Sequence, residues 1–296
     1  MGGSGGKDRT EYVYLNGRLV PADEARVSVA DRGFLYGDGV FETLRAYGGR
    51  PFQLTEHVAR LYRSASLIGL ELPWPPGAVR EAVKATLEAN GLAEAYVRVT
   101  VTRGEGLGIE PPAPEKPTLV VHTRPLTIDP QVYQKGIAAV VVRTRRNLPA
   151  AVPPEAKSLN YLNNVLAYRE ARAMGAQEAL MLNAQGAVAE GSVSNVFVVV
   201  QGKVLTPPVE AGIFPGLARE TVLRLAREMG QPVEERLFGP DLLLSADEVF
   251  LTNSVREVVP VVRVNGSAIG EGRPGRVTRL LVDAYRALVR RTLGLT

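Results

Sequence analysis

Alternating apolar and polar positions open the chain, and helical spacing takes over after residue 54. YVYLNGRLV (12–20) alternates on either side of Asn16-Gly17, a pair that accepts the positive φ of a tight turn, and so predicts a hairpin. FETLRAYGGRPFQL (41–54) predicts a second hairpin turning at Gly48-Gly49. TEHVARLYRSASLIGL (55–70) then places Val58, Leu61, Tyr62 and Ala65 on one helical stripe, with Thr55 as the expected N-cap. PGAVREAVKATLEANG (76–91) reads as another helix, stopped by Asn90-Gly91. AYVRVTVT (95–102) and KPTLVVHTRPL (116–126) are expected strands, joined by RGEGLGIEPPAPE, a Gly- and Pro-rich loop mobile in composition.

TIDPQVYQKG (127–136) marks a seam. Beyond it come a strand at IAAVVVR, a loop at NLPAAVPPEA and a helix from about Asn160 to Met174, stopped by Gly175. EALMLNAQGAVAEGSVSNVFVVV (178–200) reads as a hairpin turning at Gln185-Gly186. VEAGIFPGLARETVLRLAREMG feeds a loop into a helix with Val222, Leu225, Ala226 and Met229 on one face. DEVFLTN, NSVREVVPV and PGRVTRLLVDAYRALVRRT add two strands and a closing helix. The pattern predicts two α+β domains. A leader over 1–9 precedes a small N-terminal α+β domain over 10–126, and a linker over 127–135 joins it to a larger C-terminal α/β domain over 136–296.

Composition narrows the chemistry. Of 296 residues, 45% are apolar and 22% charged, enough for a substantial core. The net charge of +4 is spread among 31 acidic residues, and the densest basic cluster, Arg143 to Arg146, reads as a solvated strand end. Nucleic acid is therefore not an expected partner. With no cysteine, thiol catalysis, disulfides and zinc-thiolate sites are excluded, and two histidines without ligand spacing make no metal site. No apolar run approaches the roughly 20 residues of a membrane span. The Gly-rich start reads as a flexible leader rather than a signal region, and a cytoplasmic location is expected.

Candidate chemistry is sparse. Lys157, in PPEAKSLNYLNN, would on its own be a surface lysine. Glu190 lies in a strand otherwise poor in charge, and such a carboxylate must pair or titrate. Pro215-Gly216 opens a helix whose first N–H groups, on Leu217 and Ala218, suit a phosphate or form a plain junction. Arg60 is as readily a packed helix side chain as an anion ligand. Walker, dinucleotide-binding and GxSxG patterns are missing. A lysine for a Schiff base, a carboxylate for a ring nitrogen, an arginine, a tyrosine and a phosphate-type helix start together suit pyridoxal 5′-phosphate.

Seven ordered motifs then carry a resemblance: YGDGVFETLRAY (36–47), HVARLYRSA (57–65), AYVRVTVTRGEG (95–106), KSLNYLNN (157–164), EGSVSNVF (190–197), GIFPGLARE (212–220) and LTNSVREVVPV (251–261). The chain resembles the class IV aminotransferases, pyridoxal-phosphate enzymes of fold type IV, over nearly its whole length after residue 10. The resemblance implies a D-amino-acid-aminotransferase-like α+β fold with the active site between two domains, and a homodimer whose neighbour finishes each site through residues 104–112. It implies that Lys157 forms the internal aldimine and moves the Cα proton, that Glu190 meets the pyridine nitrogen, and that Tyr161 meets the ring oxygen. Arg60, Ser254 and the N–H groups of Leu217 and Ala218 would hold the phosphate. Tyr36, Phe41, Thr43, Tyr96, Arg98 and Val255 would face the substrate.

The nearest match in motif is to branched-chain enzymes, through Tyr96-x-Arg98, which implies branched-chain L-amino acids as donors and 2-oxoglutarate as acceptor. Three departures matter. Leu217-Ala218 stands where many relatives have Ile-Thr, removing one phosphate-side hydroxyl. Thr43 replaces a glycine common in branched-chain enzymes and, with Arg103-Gly104, is similar to aminodeoxychorismate lyases, which release pyruvate. The Arg and His of D-amino-acid enzymes are matched only by an arginine, which leaves D-amino-acid or (R)-amine transamination as a further alternative.

Overall fold

The computed structural model describes residues 11–111, 113 and 115–295; the leader expected at 1–9 lies outside them. The chain forms two compact units, one ending at Leu126 and one running from Thr127.

The first unit holds β1 (Tyr12–Leu15), β2 (Arg18–Pro21), α1 (Arg32–Tyr36), β3 (Gly39–Tyr47), β4 (Arg50–Pro51), α2 (Leu54–Leu67), α3 (Pro76–Asn90), β5 (Ala95–Thr102) and β6 (Thr118–Pro125). The strands form one antiparallel sheet in the order β2-β1-β6-β5-β3-β4. Alternation decides its two faces. Val40, Leu44, Val97, Val99, Leu119 and Val121 point to one side, where Val58 and Leu61 of α2 and Val79, Val83 and Leu87 of α3 close the core. Each such side chain contributes about 1.5–3 kcal/mol by leaving water. The residues between them (Phe41, Thr43, Tyr96, Arg98 and Thr100) take the opposite face. α2 starts one residue ahead of the expected cap: Gln53 occupies the N-cap at φ 52° and Thr55 lies inside the helix. The helix therefore begins without a side-chain cap, its start set by Leu54 entering the core.

The second unit holds α4 (Gln131–Lys135), β7 (Ile137–Val141), α5 (Leu162–Ala173), β8 (Glu178–Leu182), β9 (Val188–Gly191), β10 (Asn195–Val200), β11 (Lys203–Thr206), α6 (Leu217–Glu228), β12 (Val233–Glu235), α7 (Pro240–Leu244), β13 (Glu248–Asn253), β14 (Glu257–Val264), β15 (Ser267–Ala268) and α8 (Arg276–Leu293). Its sheet runs β12-β11-β10-β13-β14-β7-β8-β9, and β9 also pairs with β10. Strands β10, β13, β14, β7, β8 and β9 thus close on themselves around an apolar interior. Within the stretch read as a linker, α4 packs Val132 and Tyr133 on that core, and Tyr133 Oη donates to the Arg256 carbonyl at 3.1 Å.

The expected hairpin over 178–200 is instead three strands. Ser192–Ser194 break its second arm because buried Glu178 draws that corner inward. Glu178 accepts from the Ser192 hydroxyl, from Ser192 N–H at 3.1 Å and from the Ser194 hydroxyl at 3.3 Å. The break lets β9 and β10 pair through Glu190 and Asn195, and this pairing closes the barrel.

Candidate active site

The closing rung of the barrel sets the geometry. Register places Glu190 opposite Asn195, and Asn195 opposite Thr252 on β13. Residues far apart in sequence therefore stand side by side at one end of the barrel. Glu190 is buried. Its Oε1 accepts from Arg146 Nε at 2.9 Å. Its Oε2 accepts from Phe214 N–H at 3.0 Å and from Asn195 Nδ2 at 3.3 Å. Burial pushes the carboxyl above its ordinary range, and this prevails over the downward pull of Arg146, the Phe214 N–H and Lys157.

Lys157 is half-buried, its Nζ 4.6 Å from the centre of the Phe214 ring and 5.6 Å from that of Tyr161. The residue whose backbone holds Glu190 therefore carries the ring beside the lysine. Tyr161 is the residue at the N-terminal boundary of α5, which is also tied to the barrel corner by Asn164 Nδ2 donating to the Ser192 carbonyl at 2.8 Å.

The same loop runs from Phe214 into α6. Gly216 is its N-cap and offers no side-chain cap, so the first N–H groups, on Leu217 and Ala218, have no partner in the helix. A glycine is required there: a Cβ on Gly216 would lie 2.3 Å from Asn195 Oδ1. Asn195 also donates to the Phe214 carbonyl at 2.8 Å, locking the approach to the helix. Ser254 and Val255 sit half-buried in the β13–β14 turn, where Asn253 Oδ1 accepts from the N–H groups of Val255 at 3.0 Å and Arg256 at 2.7 Å. The Val255 N–H is held inside the turn. Three buried polar atoms among the described residues of this unit, Asn163 Oδ1, Arg219 Nε and Thr252 Oγ1, are without a hydrogen-bond partner.

The residues here fit the chemistry of pyridoxal phosphate. There is an amine on a ring-lined wall, a buried carboxylate able to face a ring N–H, and a glycine-opened helix start with unpartnered donors.

In the first unit the expected residues divide. Phe41, Thr43, Tyr96 and Arg98 share the face away from α2 and α3, with Arg98 stacked 3.9 Å over the Phe41 ring and Thr43 Oγ1 3.4 Å from Tyr96 Oη. Arg60 lies on the other side. It is buried, with Nε 2.6 Å from Glu42 Oε1 and Nη2 2.8 Å from Glu42 Oε2, while His57 Nδ1 lies 2.8 Å from Oε2. Tyr36 is exposed, and its hydroxyl accepts from Gly108 N–H at 3.0 Å. Arg32 grips the same loop through the carbonyls of Gly108 at 2.7 Å and Ile109 at 3.1 Å. Arg103, noted for its lyase-like setting, is buried against Asp38 at 2.9 Å and Glu115 at 2.6 Å and serves the loop framework.

Sequence reasoning misses Arg146, Asn195 and Phe214. In sequence Arg146 is indistinguishable from its basic neighbours at a solvated strand end; Arg143 and Arg145 are exposed, whereas Arg146 turns inward to Glu190. The usable signal is Glu190 itself, since a carboxylate in an apolar strand demands a cation. Among the described residues no cluster suits a metal ion, and no helix is long and apolar enough to cross a membrane.

Comparison with known proteins agrees with this chemistry. The family described as amino-transferase class IV matches residues 39–264. A Methanocaldococcus jannaschii protein, whose name places it provisionally among the branched-chain-amino-acid aminotransferases, is 42% identical over 93% of this chain and 95% of its own length. The D-alanine aminotransferase of Bacillus licheniformis is 37% identical over 93% of this chain and 95% of its own. Among solved structures, the branched-chain amino acid aminotransferase of Escherichia coli superposes with a TM-score of 0.91 at 33% identity, covering 95% of each chain. Family match, full-length identity and fold therefore converge: this chain belongs to the class IV aminotransferases, enzymes of fold type IV that depend on pyridoxal 5′-phosphate.

Proposed function

We propose that the chain transfers the amino group of branched-chain L-amino acids to 2-oxoglutarate. The observation that carries the chemical part is Glu190, a buried carboxylate anchored by Arg146 and Phe214 N–H beside the ring that lines Lys157. Pyridoxal 5′-phosphate supplies the aldehyde and the electron-withdrawing ring. Lys157 Nζ would carry the proton taken from the substrate Cα to the cofactor's C4′. Glu190, its charge favoured by Arg146, would hold a proton on the ring nitrogen, and Tyr161 Oη would meet the ring oxygen. The N–H groups of Leu217 and Ala218 and the Ser254 hydroxyl would hold the phosphate, and with no hydroxyl on Ala218 the backbone donors would carry more of that charge. Arg60 is assigned to the phosphate on resemblance alone. Tyr36, Phe41, Thr43, Tyr96, Arg98 and Val255 are assigned to the substrate; for Val255 this leaves a backbone group other than its N–H.

The branched-chain assignment draws on the relatives named for that activity. A second reading, D-amino-acid transamination, is favoured by the 37% identity to the Bacillus licheniformis enzyme. A homodimer in the cytoplasm completes the proposal, and a second copy would cover the exposed apolar side chains Val29, Phe34, Leu107 and Ile109. The test is a donor panel of L-leucine, L-valine, D-alanine and aminodeoxychorismate with 2-oxoglutarate or pyruvate as acceptor. L-leucine with 2-oxoglutarate is expected to give the highest kcat/KM. Preference for D-alanine would replace the donor assignment, and pyruvate release from aminodeoxychorismate without any acceptor would replace the reaction.

A further inference from the structure

The face of the first unit's sheet away from α2 and α3 carries Arg45, Arg98, Arg124 and His122, and among the described residues two of these basic groups meet a carboxylate. Arg45 pairs with Glu94 at 2.7 Å, and His122 lies 3.2 Å from Glu11. Arg98 and Arg124 have no carboxylate partner among the described residues. Arg98 donates to Thr100 Oγ1 at 3.1 Å and stacks 3.9 Å over Phe41. Arg124 stacks 4.5 Å over the Tyr96 ring and is exposed. Register fixes how they relate: Tyr96 lies opposite Arg124, and Arg98 lies opposite His122 on the same pair of strands. The two arginines are therefore diagonal neighbours across the strand pair, a separation of about 7–8 Å that long side chains can span.

Both guanidinium groups rest on aromatic rings, which fixes their planes while leaving N–H edges for an anion. On the same face Tyr96 lies opposite Arg124 and Thr43 lies opposite Arg98, and their hydroxyls are 3.4 Å apart. A molecule with two carboxylates can give both guanidinium groups a counter-charge, which an apolar side chain does not supply.

We propose that Arg124 is a specificity-determining residue. With Arg98 it forms a two-guanidinium face that recognises amino and keto acids carrying a second carboxylate. Arg98 takes one carboxylate and Arg124 the other, while Tyr96 holds Arg124 in place. This rests on the aminotransferase reading of the substrate face and adds to it a residue outside those assigned above.

The test compares the wild-type holoenzyme with Arg124→Gln and Arg124→Lys, measuring kcat/KM for L-glutamate and for L-leucine as donors. One lost charge-assisted contact is worth about tenfold. The glutamate-to-leucine ratio is expected to fall about tenfold in Arg124→Gln and to recover in large part in Arg124→Lys. Calorimetric titration with glutarate, a dicarboxylate that cannot react, is expected to show a matching loss of affinity. An unchanged ratio, or equal glutarate affinity in wild type and Arg124→Gln, overturns the role of Arg124. Failure of the wild type to turn over either donor would instead overturn the transaminase reading, and the glutarate titration would still decide the arginine.

Discussion

Two buried carboxylates, one in each unit, are driven in opposite directions. Glu42 sits in the first unit, inside the layer between sheet and α2, with Arg60 on both oxygens and His57 on one. Burial pushes it up, but the charges of Arg60 and His57 and the bonds they make outweigh burial and hold it well below the usual carboxylate range. Glu190, in the second unit, meets one guanidinium nitrogen and two amide N–H groups, and burial prevails. Glu42 is saturated with positive charge. Glu190 is left short of it, and a carboxylate short of positive charge is a receptor for a further cation, such as a protonated ring nitrogen.

The largest expected effect lies on the saturated side. Glu42→Ala leaves the Arg60 guanidinium buried without its counter-charge and is expected to cost about 3–5 kcal/mol, read by urea unfolding. The sign with pH is opposite for the two groups. Glu42 has a depressed folded-state pKa, so its contribution is present above the ordinary carboxylate range and is lost as pH falls below it. Glu190 has a raised one, so the apoprotein loses stability as pH rises from the ordinary carboxylate value through the raised value. A stability profile in which Glu42→Ala leaves the acid limb untouched would break the contrast.

On the unsaturated side, the expected loss is in rate. Glu190→Gln keeps the shape but cannot hold a ring proton, and kcat is expected to fall roughly 100- to 1000-fold. Steady-state kinetics beside thermal melts separate the two outcomes. A melting loss as large as that of Glu42→Ala with little loss of kcat would make Glu190 a structural ion-pair member like Glu42.

How much of this can be read in advance follows the same divide. The core helices and strands declare themselves through period, as Val58 and Leu61 of α2 do against Val97 and Val99 of β5. Lys157 and Tyr161 stand out in the sequence only because their motifs occur in order, whereas Glu190 is also marked by the apolar strand around it; no local property of Lys157 distinguishes it. Arg146 and Glu42 are not legible. Each draws its role from a partner 44 or 18 residues away, brought near by barrel closure or by a helix laid on a strand. The three-strand division of 178–200 is hidden for the same reason, since Glu178 and Ser192 act across a corner that no periodicity encodes. Thr55 has the chemistry of a cap, yet packing of Leu54 sets the helix start.

The smallest expected effect tests the contrast most directly, because it changes how short of positive charge Glu190 is. Arg146→Met removes the one cation on Oε1 and keeps much of the side-chain volume. The downward pull on Glu190 weakens, so its pKa rises further and a larger share is protonated at neutral pH. Only the ionised form holds the ring proton. The acid limb of kcat against pH is therefore expected to move to higher pH by about one unit, the shift that corresponds to roughly 1.4 kcal/mol of altered interaction. Activity lost at neutral pH should return on the alkaline side, whereas a merely structural role for Arg146 would lower kcat equally across the profile. A limb that stays in place would show that Phe214 N–H and Asn195 suffice to keep Glu190 charged, and that the difference between the two carboxylates lies in their amide donors rather than in their arginines.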